Sequence, residues 1–343
     1  MASRLACTLR RLWAALLLLE GASVQASPAA LPALESDGAS VVGVSSGGYM
    51  AAQLAVAWPE RFNGVGVVAA GPWGCSQGAL SLALNQCMNT TRGLPSLEAL
   101  DERLARYWQE DLVGSHEALS SLRVYVSHGD DDDVIAPELG ALAARQWRRW
   151  TAESQVRYAP GPQGHGWPVR LEDEAEVGPY ALGGCRQGGG SFVLACNDDM
   201  ATELLDWLYP ERESAPSPGE LTAFDQTEFA ARGLADAGYV FIPEQCREHA
   251  CPVTLALHGC QMSVDAIGDV FVRHSGLNRW AAEHGQIVLY PQAESSLVNP
   301  QGCWDWWGYA ESALQLNPPF DTREGAQIRA LIAMLDRLEA SAE

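Results

Sequence analysis

The chain has 343 residues, of which 47% are hydrophobic and 19% charged, a composition typical of a globular protein rather than a disordered one. Its formal net charge is −21, and all 22 basic residues are arginine. This acidity argues against a nucleic-acid partner, because phosphate binding requires a basic surface. A highly charged, solvated surface that keeps the protein soluble is the simpler explanation.

Residues 1–26 have the features of a secretory signal peptide. Basic residues precede an apolar stretch at residues 12–19, and small residues follow at 24–26. The apolar stretch is shorter than the about 20 residues needed to span a bilayer, so no membrane association is expected. The Arg10-Arg11 pair suggests a twin-arginine signal as an alternative, but the general secretory route fits the surrounding residues better. We therefore expect a secreted, extracellular protein, with a periplasmic location as the alternative.

Cysteine usage agrees with export. One of the nine cysteines lies in the signal segment, and the remaining even number suggests four disulfides. Eight cysteines allow 105 pairings, so spacing alone leaves the connectivity open. Zinc is the alternative, but there is no Cys-x-x-Cys and no histidine at ligand spacing from a cysteine pair. No metal or organic cofactor is expected. The eight cysteines outside the predicted signal peptide are Cys75, Cys87, Cys185, Cys196, Cys246, Cys251, Cys260 and Cys303.

Strands and helices alternate along the first half of the mature chain, which we place at residues 27–209. This alternation predicts an α/β fold with a mostly parallel sheet covered by helices on both faces. A loop is expected at residues 71–93, and Asn89 begins a sequon that would matter only in a eukaryotic host. The pattern predicts strands at residues 41–44, 65–70, 123–127 and 155–159, and helices at 49–58, 139–150 and 200–209.

The second half, at residues 221–343, follows a Pro, Ser and Glu-rich linker at 210–220. It also alternates strand and helix, so the two halves form either two domains or one. Strands are predicted at residues 239–242, 253–257 and 287–290, and a helix at 323–338.

A nucleophile motif lies between the first predicted strand and helix. Gly43-Val44-Ser45-Ser46-Gly47 matches G-x-S-x-G in the strand-turn-helix context that presents a serine hydroxyl. Ser45 is therefore the candidate nucleophile, and the N–H of Ser46 would face the developing oxyanion. A simple Gly/Ser turn is the alternative for the pentapeptide alone.

Serine needs a base, and the base needs an acid to hold its tautomer. The acid loop follows the strand at 123–127 as four consecutive aspartates, of which the motif Gly-x-x-Asp-x-x-apolar-x-Pro selects Asp132. His165 lies in a Gly-rich loop after the next strand and is the candidate base. The chain order Ser, Asp, His is that of α/β-hydrolases.

Ser45 lies close to the mature N-terminus, although an α/β-hydrolase places several strands before its nucleophile. The second half can supply them: the strand at 253–257 runs into His258-Gly259-Cys260, which resembles a loop that donates the second oxyanion N–H, here from Cys260. Joining the C-terminus to the mature N-terminus would restore the usual order. We infer a circularly permuted, single-domain fold.

Four sequence blocks carry a family resemblance. They are Gly43-Val44-Ser45-Ser46-Gly47-Gly48-Tyr49-Met50-Ala51-Ala52-Gln53-Leu54, Leu257-His258-Gly259-Cys260, Tyr290-Pro291-Gln292 and Gly302-Cys303-Trp304-Asp305-Trp306. They resemble the secreted poly(3-hydroxybutyrate) depolymerases with a circularly permuted α/β-hydrolase domain. The resemblance implies Ser45, Asp132 and His165 as the triad, Ser46 and Cys260 as oxyanion donors, and the pairs Cys75–Cys87, Cys185–Cys196, Cys246–Cys251 and Cys260–Cys303.

Many such enzymes carry a separate substrate-binding module, and none is expected within these 343 residues. Adsorption to solid polymer would then require aromatic side chains near the site. The candidates are Trp304, Trp306, Trp307, Tyr309 and Trp167, each of which has a core position as its alternative.

The expected activity is that of a carboxylic ester hydrolase acting on poly(3-hydroxybutyrate) or related short-chain polyesters, as a monomer and through an acyl-enzyme. A feruloyl, acetylxylan or other short-chain carboxylesterase is the alternative on the same scaffold. A non-catalytic binding protein is disfavoured, because all three triad residues are present.

Overall fold

The computed structural model describes residues 28–170, 181–311 and 319–340, so the predicted signal peptide lies outside the described residues. A mostly parallel nine-stranded sheet forms the centre. Its strands are β1 (Ala29–Ala30), β2 (Ala39–Val44), β3 (Gly64–Val68), β4 (Arg123–Gly129), β5 (Val156–Gly161), β9 (Gly219–Asp225), β10 (Ala237–Pro243), β11 (Val253–Leu257) and β12 (Ile287–Tyr290). Their order across the sheet is β1-β9-β10-β12-β11-β2-β3-β4-β5. A small second sheet contains β6 (Trp167–Val169), β7 (Gly183–Gly184) and β8 (Val193–Ala195).

Helices cover both faces of the large sheet. Successive strand residues point to opposite sides, so a continuous apolar strand places apolar side chains on both faces, and both need to be covered. Val41 packs in the larger hydrophobic core with Leu54 and Leu331, whereas its neighbour Val42 packs in the second core with Leu204. Both faces are therefore buried, as the continuous apolar strands require. The helices are α1 (Ser46–Ala57), α2 (Leu80–Gln86), α3 (Leu97–Gln109), α4 (His116–Ser121), α5 (Pro137–Trp150), α6 (Met200–Leu208), α7 (Val264–Ile267), α8 (Val270–His274), α9 (Leu277–His284) and α10 (Ala326–Glu339).

The two halves of the chain share one sheet. β2 of the first half pairs in parallel with β11 of the second, with Ala39 opposite Val253. The Ser40 and Thr254 hydroxyls lie 3.1 Å apart across this pair. The strands that precede the nucleophile in the ordinary order of the fold thus come from the C-terminal half, which agrees with the circularly permuted α/β arrangement.

Two predicted connecting segments differ from the structure. Residues 71–93 contain α2 and are not a loop throughout; the helix lies inside the loop closed by the Cys75–Cys87 disulfide. Residues 210–218 are a connection but not a free spacer, since the Arg212 guanidinium donates to the carbonyl of His284. The last two residues of the predicted linker belong to β9.

The structure joins the eight cysteines into four disulfides, in the arrangement that the family resemblance implies. Three close short loops, and the fourth joins segments 43 residues apart. The pairs are Cys75–Cys87, Cys185–Cys196, Cys246–Cys251 and Cys260–Cys303. In the part of the chain that the structure describes, none of the helices is long and apolar enough to cross a membrane.

Candidate active site

Ser45 stands at a strained turn between β2 and α1. Its φ of 58° and ψ of −121° lie outside the regions that L-residues ordinarily occupy. The turn depends on its glycines: a Cβ on Gly43 would lie 2.2 Å from the carbonyl oxygen of Gly47, and one on Gly47 would lie 2.3 Å from that of Leu257. The backbone can therefore form the sharp strand-to-helix turn of a nucleophile elbow.

His165 connects Ser45 to Asp132. The loop between β5 and β6 places its Nε2 2.9 Å from Ser45 Oγ and its Nδ1 2.8 Å from Asp132 Oδ2. A carboxylate only accepts hydrogen bonds, so Nδ1 carries the proton and Nε2 is free to accept from the serine hydroxyl. All three residues are buried, with Ser45 the most accessible at 8% exposure. The structure thus brings together three residues that are far apart in the sequence.

The acid loop after β4 distinguishes its four aspartates by their surroundings. Asp132 Oδ1 accepts the backbone N–H groups of Val134 and Ile135 at 2.9 and 2.8 Å, which fixes the carboxylate towards His165. Asp131 instead pairs with Arg186 at 2.6 Å, and Asp130 and Asp133 are exposed. Only Asp132 of the four meets the imidazole.

The sequence analysis missed a second histidine beside the acid. His128 Nε2 lies 2.9 Å from the carbonyl oxygen of Ile135 and 3.4 Å from Asp132 Oδ2. Both partners are acceptors, so Nε2 donates, and burial lowers the pKa of His128 and favours this neutral form. Gly140 of α5 leaves room for the ring, since a Cβ there would lie 2.4 Å from it. The signal for His128 in the sequence is the His128-Gly129 dipeptide directly before the four aspartates.

The expected oxyanion donors border Ser45 from two sides. Ser46 begins α1, where the first N–H groups have no intrahelical acceptor and the positive end of the helix dipole lies. The Cys260 loop approaches from β11, since a Cβ on Gly259 would lie 3.2 Å from that of Ser45. Two backbone segments capable of donating to an oxyanion therefore converge on the serine.

The burial of the five candidate aromatics limits which of them can contact a polymer. Trp167 and Trp304 are 0% exposed, and their indole N–H groups donate to backbone carbonyls in the core, so their burial argues against direct contact with substrate. Trp306 and Tyr309 are also buried, and Trp306 stacks on a core tyrosine. Trp307 alone of the five is partly exposed.

A cavity of about 280 Å³ lies beside the site. Phe192 lines it and packs edge-on against the ring of His165, with centroids 6.1 Å apart. Gln261, the residue after Cys260, lines it as well, with Ile267 and Pro300. Phe192 and Gln261 both have positive φ, of 58° and 61°, a strained geometry that concentrates at functional sites. The described residues contain no group of three or more His, Cys, Asp or Glu side chains arranged to hold a metal ion.

Comparisons with known proteins give consistent relatives. No protein-family model matches the chain. A poly(3-hydroxybutyrate) depolymerase from Delftia acidovorans is 30% identical over 321 residues, which cover 90% of this chain and 62% of that protein, so the chain spans less than two thirds of its length. A feruloyl esterase B from Thermothelomyces thermophilus is 24% identical over 133 residues, 38% of this chain and 43% of that protein.

Solved structures share the fold over nearly the whole domain. The PHB depolymerase from Penicillium funiculosum superposes with a TM-score of 0.79 at 29% identity, covering 90% of this chain and 98% of that one. A PHB depolymerase variant complexed with an R3HB trimer gives a TM-score of 0.78 with the same identity and coverage. These neighbours confirm the α/β-hydrolase fold.

A polyhydroxybutyrate depolymerase from Talaromyces funiculosus is 30% identical over 338 residues, 92% of this chain and 94% of that protein. Because this relative is matched over more than nine tenths of both chains, and because the serine turn and the reordered sheet agree with it, the chain belongs to the polyhydroxybutyrate depolymerase family.

Proposed function

We propose that the protein is a secreted serine esterase that hydrolyses poly(3-hydroxybutyrate) or related short-chain polyesters. The observation that carries the proposal is the hydrogen-bonded series Ser45–His165–Asp132. The family supports the substrate class, and four disulfides support an oxidising compartment outside the cytosol. Residues 1–26 would direct export and then be removed.

The proposed reaction is acyl transfer in two steps. His165 Nε2 takes the proton of Ser45 as its oxygen attacks the ester carbonyl, and Asp132 stabilises the imidazolium that forms. The N–H groups of Ser46 and Cys260 hold the tetrahedral oxyanion. His165 then protonates the departing alcohol, and water, activated by the same base, releases the acid from the acyl-enzyme.

Adsorption to solid polymer would use apolar residues beside the site rather than the buried tryptophans. Leu297 is 102% exposed and Val298 is 50% exposed, at the tip of a turn joined by hydrogen bonds between Ser296 and Asn299. The Asn299 side chain donates to the carbonyl of Cys303 at 2.8 Å. Cys303 is joined by its disulfide to Cys260, so this hydrogen bond connects the turn to the oxyanion loop, His258-Gly259-Cys260. An exposed apolar tip on a rigid base suits contact with a hydrophobic surface.

The decisive experiment replaces the nucleophile. Ser45→Ala should lower kcat for a soluble short-chain ester by about four orders of magnitude or more, because only binding and oxyanion stabilisation remain. Clearing of a poly(3-hydroxybutyrate) suspension should stop as well. The control is Ser121→Ala at the exposed end of α4, which should leave both activities unchanged. Normal turnover by the Ser45 variant would place the nucleophile elsewhere.

A feruloyl esterase is the second candidate, favoured by the 133-residue similarity to feruloyl esterase B. Both functions share the acyl-transfer chemistry and differ in the groups that bind the acyl chain and the alcohol. Rates with a feruloylated sugar and with the polymer suspension separate them. Hydrolysis of the sugar ester without clearing of the polymer would assign the second function.

A further inference from the structure

His258 is a buried histidine at the end of β11 that is not a member of the triad. Its Nε2 accepts the backbone N–H of Ala293 at 3.0 Å, and its Nδ1 lies 2.7 Å from the carbonyl oxygen of Gly259. A backbone N–H only donates and a carbonyl only accepts, so the tautomer is defined: Nδ1 carries the proton and donates to Gly259. Each ring nitrogen has a backbone partner.

The carbonyl that His258 holds belongs to the same peptide unit as the N–H of Cys260. The peptide is planar and trans, so its C=O and N–H point in opposite directions. Fixing the Gly259 oxygen against the imidazole therefore aims the Cys260 N–H away from the ring. We propose that His258 is a positioning residue that orients the Cys260 N–H of the oxyanion hole through its hydrogen bond to the Gly259 carbonyl. This inference rests on the proposed esterase function.

The protonation state of His258 agrees with this role. Burial lowers the pKa of His258 to about 4. At neutral pH the ring is therefore uncharged, and Nε2 keeps the lone pair that accepts from Ala293. The hydrogen-bonding arrangement needs no proton transfer during turnover.

Trp304 holds the main chain of His258 from the other side. Its indole N–H donates to the His258 carbonyl at 2.9 Å, and its backbone N–H donates to Ser46 Oγ at 3.4 Å. Its ring also packs on His258, with centroids 5.3 Å apart. Trp304 follows Cys303, which is joined to Cys260 by the disulfide. The segments that carry the two expected oxyanion donors thus meet at one buried tryptophan, which explains its burial.

Two substitutions that each keep the hydrogen bond of only one ring nitrogen test the role of His258. Asparagine reaches the place of Nδ1 and keeps a donor for Gly259, whereas glutamine reaches the place of Nε2 and keeps an acceptor for Ala293. We expect kcat of His258→Gln on a soluble short-chain ester to fall at least about 10-fold below that of His258→Asn, because the oxyanion donor loses its orientation. KM should change by less than about threefold, since the interaction strengthens only in the transition state.

Thermal unfolding of each variant separates positioning from a merely structural role. A structural role predicts that kcat follows the unfolding temperature, whereas positioning predicts that kcat follows the Gly259 donor. If His258→Gln does not fold, His258→Leu replaces it, because leucine matches asparagine in shape and has no donor. The control is His249→Asn, an exposed histidine before the amino end of β11, which should behave as the wild type.

The outcomes distinguish the inference from the proposed function. A wild-type protein without ester hydrolysis would overturn both. An active wild type in which the asparagine variant is no better than the glutamine or leucine variant would overturn the role of His258 alone. A loss in kcat that appears only with the loss of the Gly259 donor supports it.

Discussion

The two oxygens of the Asp132 carboxylate have separate partners. Oδ1 accepts two backbone N–H groups of its own loop, and Oδ2 faces His165, with His128 at 3.4 Å. One oxygen thus fixes the side chain while the other holds the imidazole. An amide can keep the first set of hydrogen bonds through its oxygen, but it then presents an NH₂ group to the histidine.

Asp132→Asn should therefore preserve the fold and disable the base. An amide donor facing Nδ1 stabilises the wrong tautomer of His165, and we expect kcat to fall by about 10⁴. Steady-state kinetics on a soluble ester measures the effect, with Asp133→Asn as the exposed neighbour that should have no effect. Near-wild-type turnover by the Asp132 variant would assign the acid to another residue.

Single residues differed in how far the sequence could predict them. Ser45 and His165 occur in short Gly-containing motifs whose chemistry is local, so they could be identified without knowledge of the fold. The burial of Trp304 depends on contacts with distant segments such as the start of α1, where Ser46 lies 258 residues earlier in the chain, and no local pattern records it. The role of His128 likewise depends on the fold of the loop that follows it.

At the level of secondary structure elements, the oxyanion loop after β11 is held by a disulfide as well as by hydrogen bonds. The Cys260–Cys303 disulfide attaches it to the segment that contains Trp304 and Trp306. The Cys246–Cys251 disulfide lies at the other end of the same strand and closes a loop with a sequence separation of only 5. These two bridges therefore make a matched pair, one beside the site and one remote from it.

Removing the bridge beside the site should affect both catalysis and stability. We expect Cys260→Ser/Cys303→Ser to lower kcat by about 10²-fold, close to the loss of one oxyanion donor. The free energy of unfolding should fall by about 4 kcal/mol, against about 2 kcal/mol for Cys246→Ser/Cys251→Ser, because the first closes the longer loop. Kinetics and urea unfolding measure the two effects. Equal kcat losses in both double variants would contradict a special role for the first bridge.

The elements that were predicted correctly are those with a strong apolar pattern. Strands β2, β3, β4, β11 and β12 are short apolar stretches buried on both faces, and α5 and α10 repeat apolar residues at helical spacing. Strand β9, which lies between β1 and β10, was missed because only Phe224 of its residues is buried and its sequence has no continuous apolar stretch. Helix α2 was missed because only Ala83 of its residues is buried, which leaves no apolar face to recognise.

For the molecule as a whole, the described ends of the chain lie together. The N–H of Leu34 donates to the carbonyl of Leu338 at 2.6 Å, and the Arg337 guanidinium donates to the carbonyl of Leu31. The N-terminal segment thus runs beside the end of α10. A circular permutation requires the two chain ends to lie close enough to be joined, and their proximity therefore agrees with the permutation inferred from the position of Ser45.

A reversed permutation should therefore fold. We expect a variant that joins residue 340 to residue 28 through a short Gly/Ser linker, and begins at Ser214 in the exposed connection before β9, to retain its ester hydrolysis. Its free energy of unfolding should change by about 2 kcal/mol or less, because closing one short loop and opening another largely offset each other. Circular dichroism, urea unfolding and kcat measure the result. An unfolded product would show that the present connection order is required.

The pairing of β2 with β11 also has a consequence for biosynthesis. Ser40 emerges from the ribosome 214 residues ahead of Thr254, the residue it meets in the sheet. Until then the nucleophile strand has one vacant edge, and the oxyanion loop does not yet exist. Native contacts between residues so far apart in the sequence form slowly. Hydrolytic competence can therefore arise only after synthesis has passed Cys260.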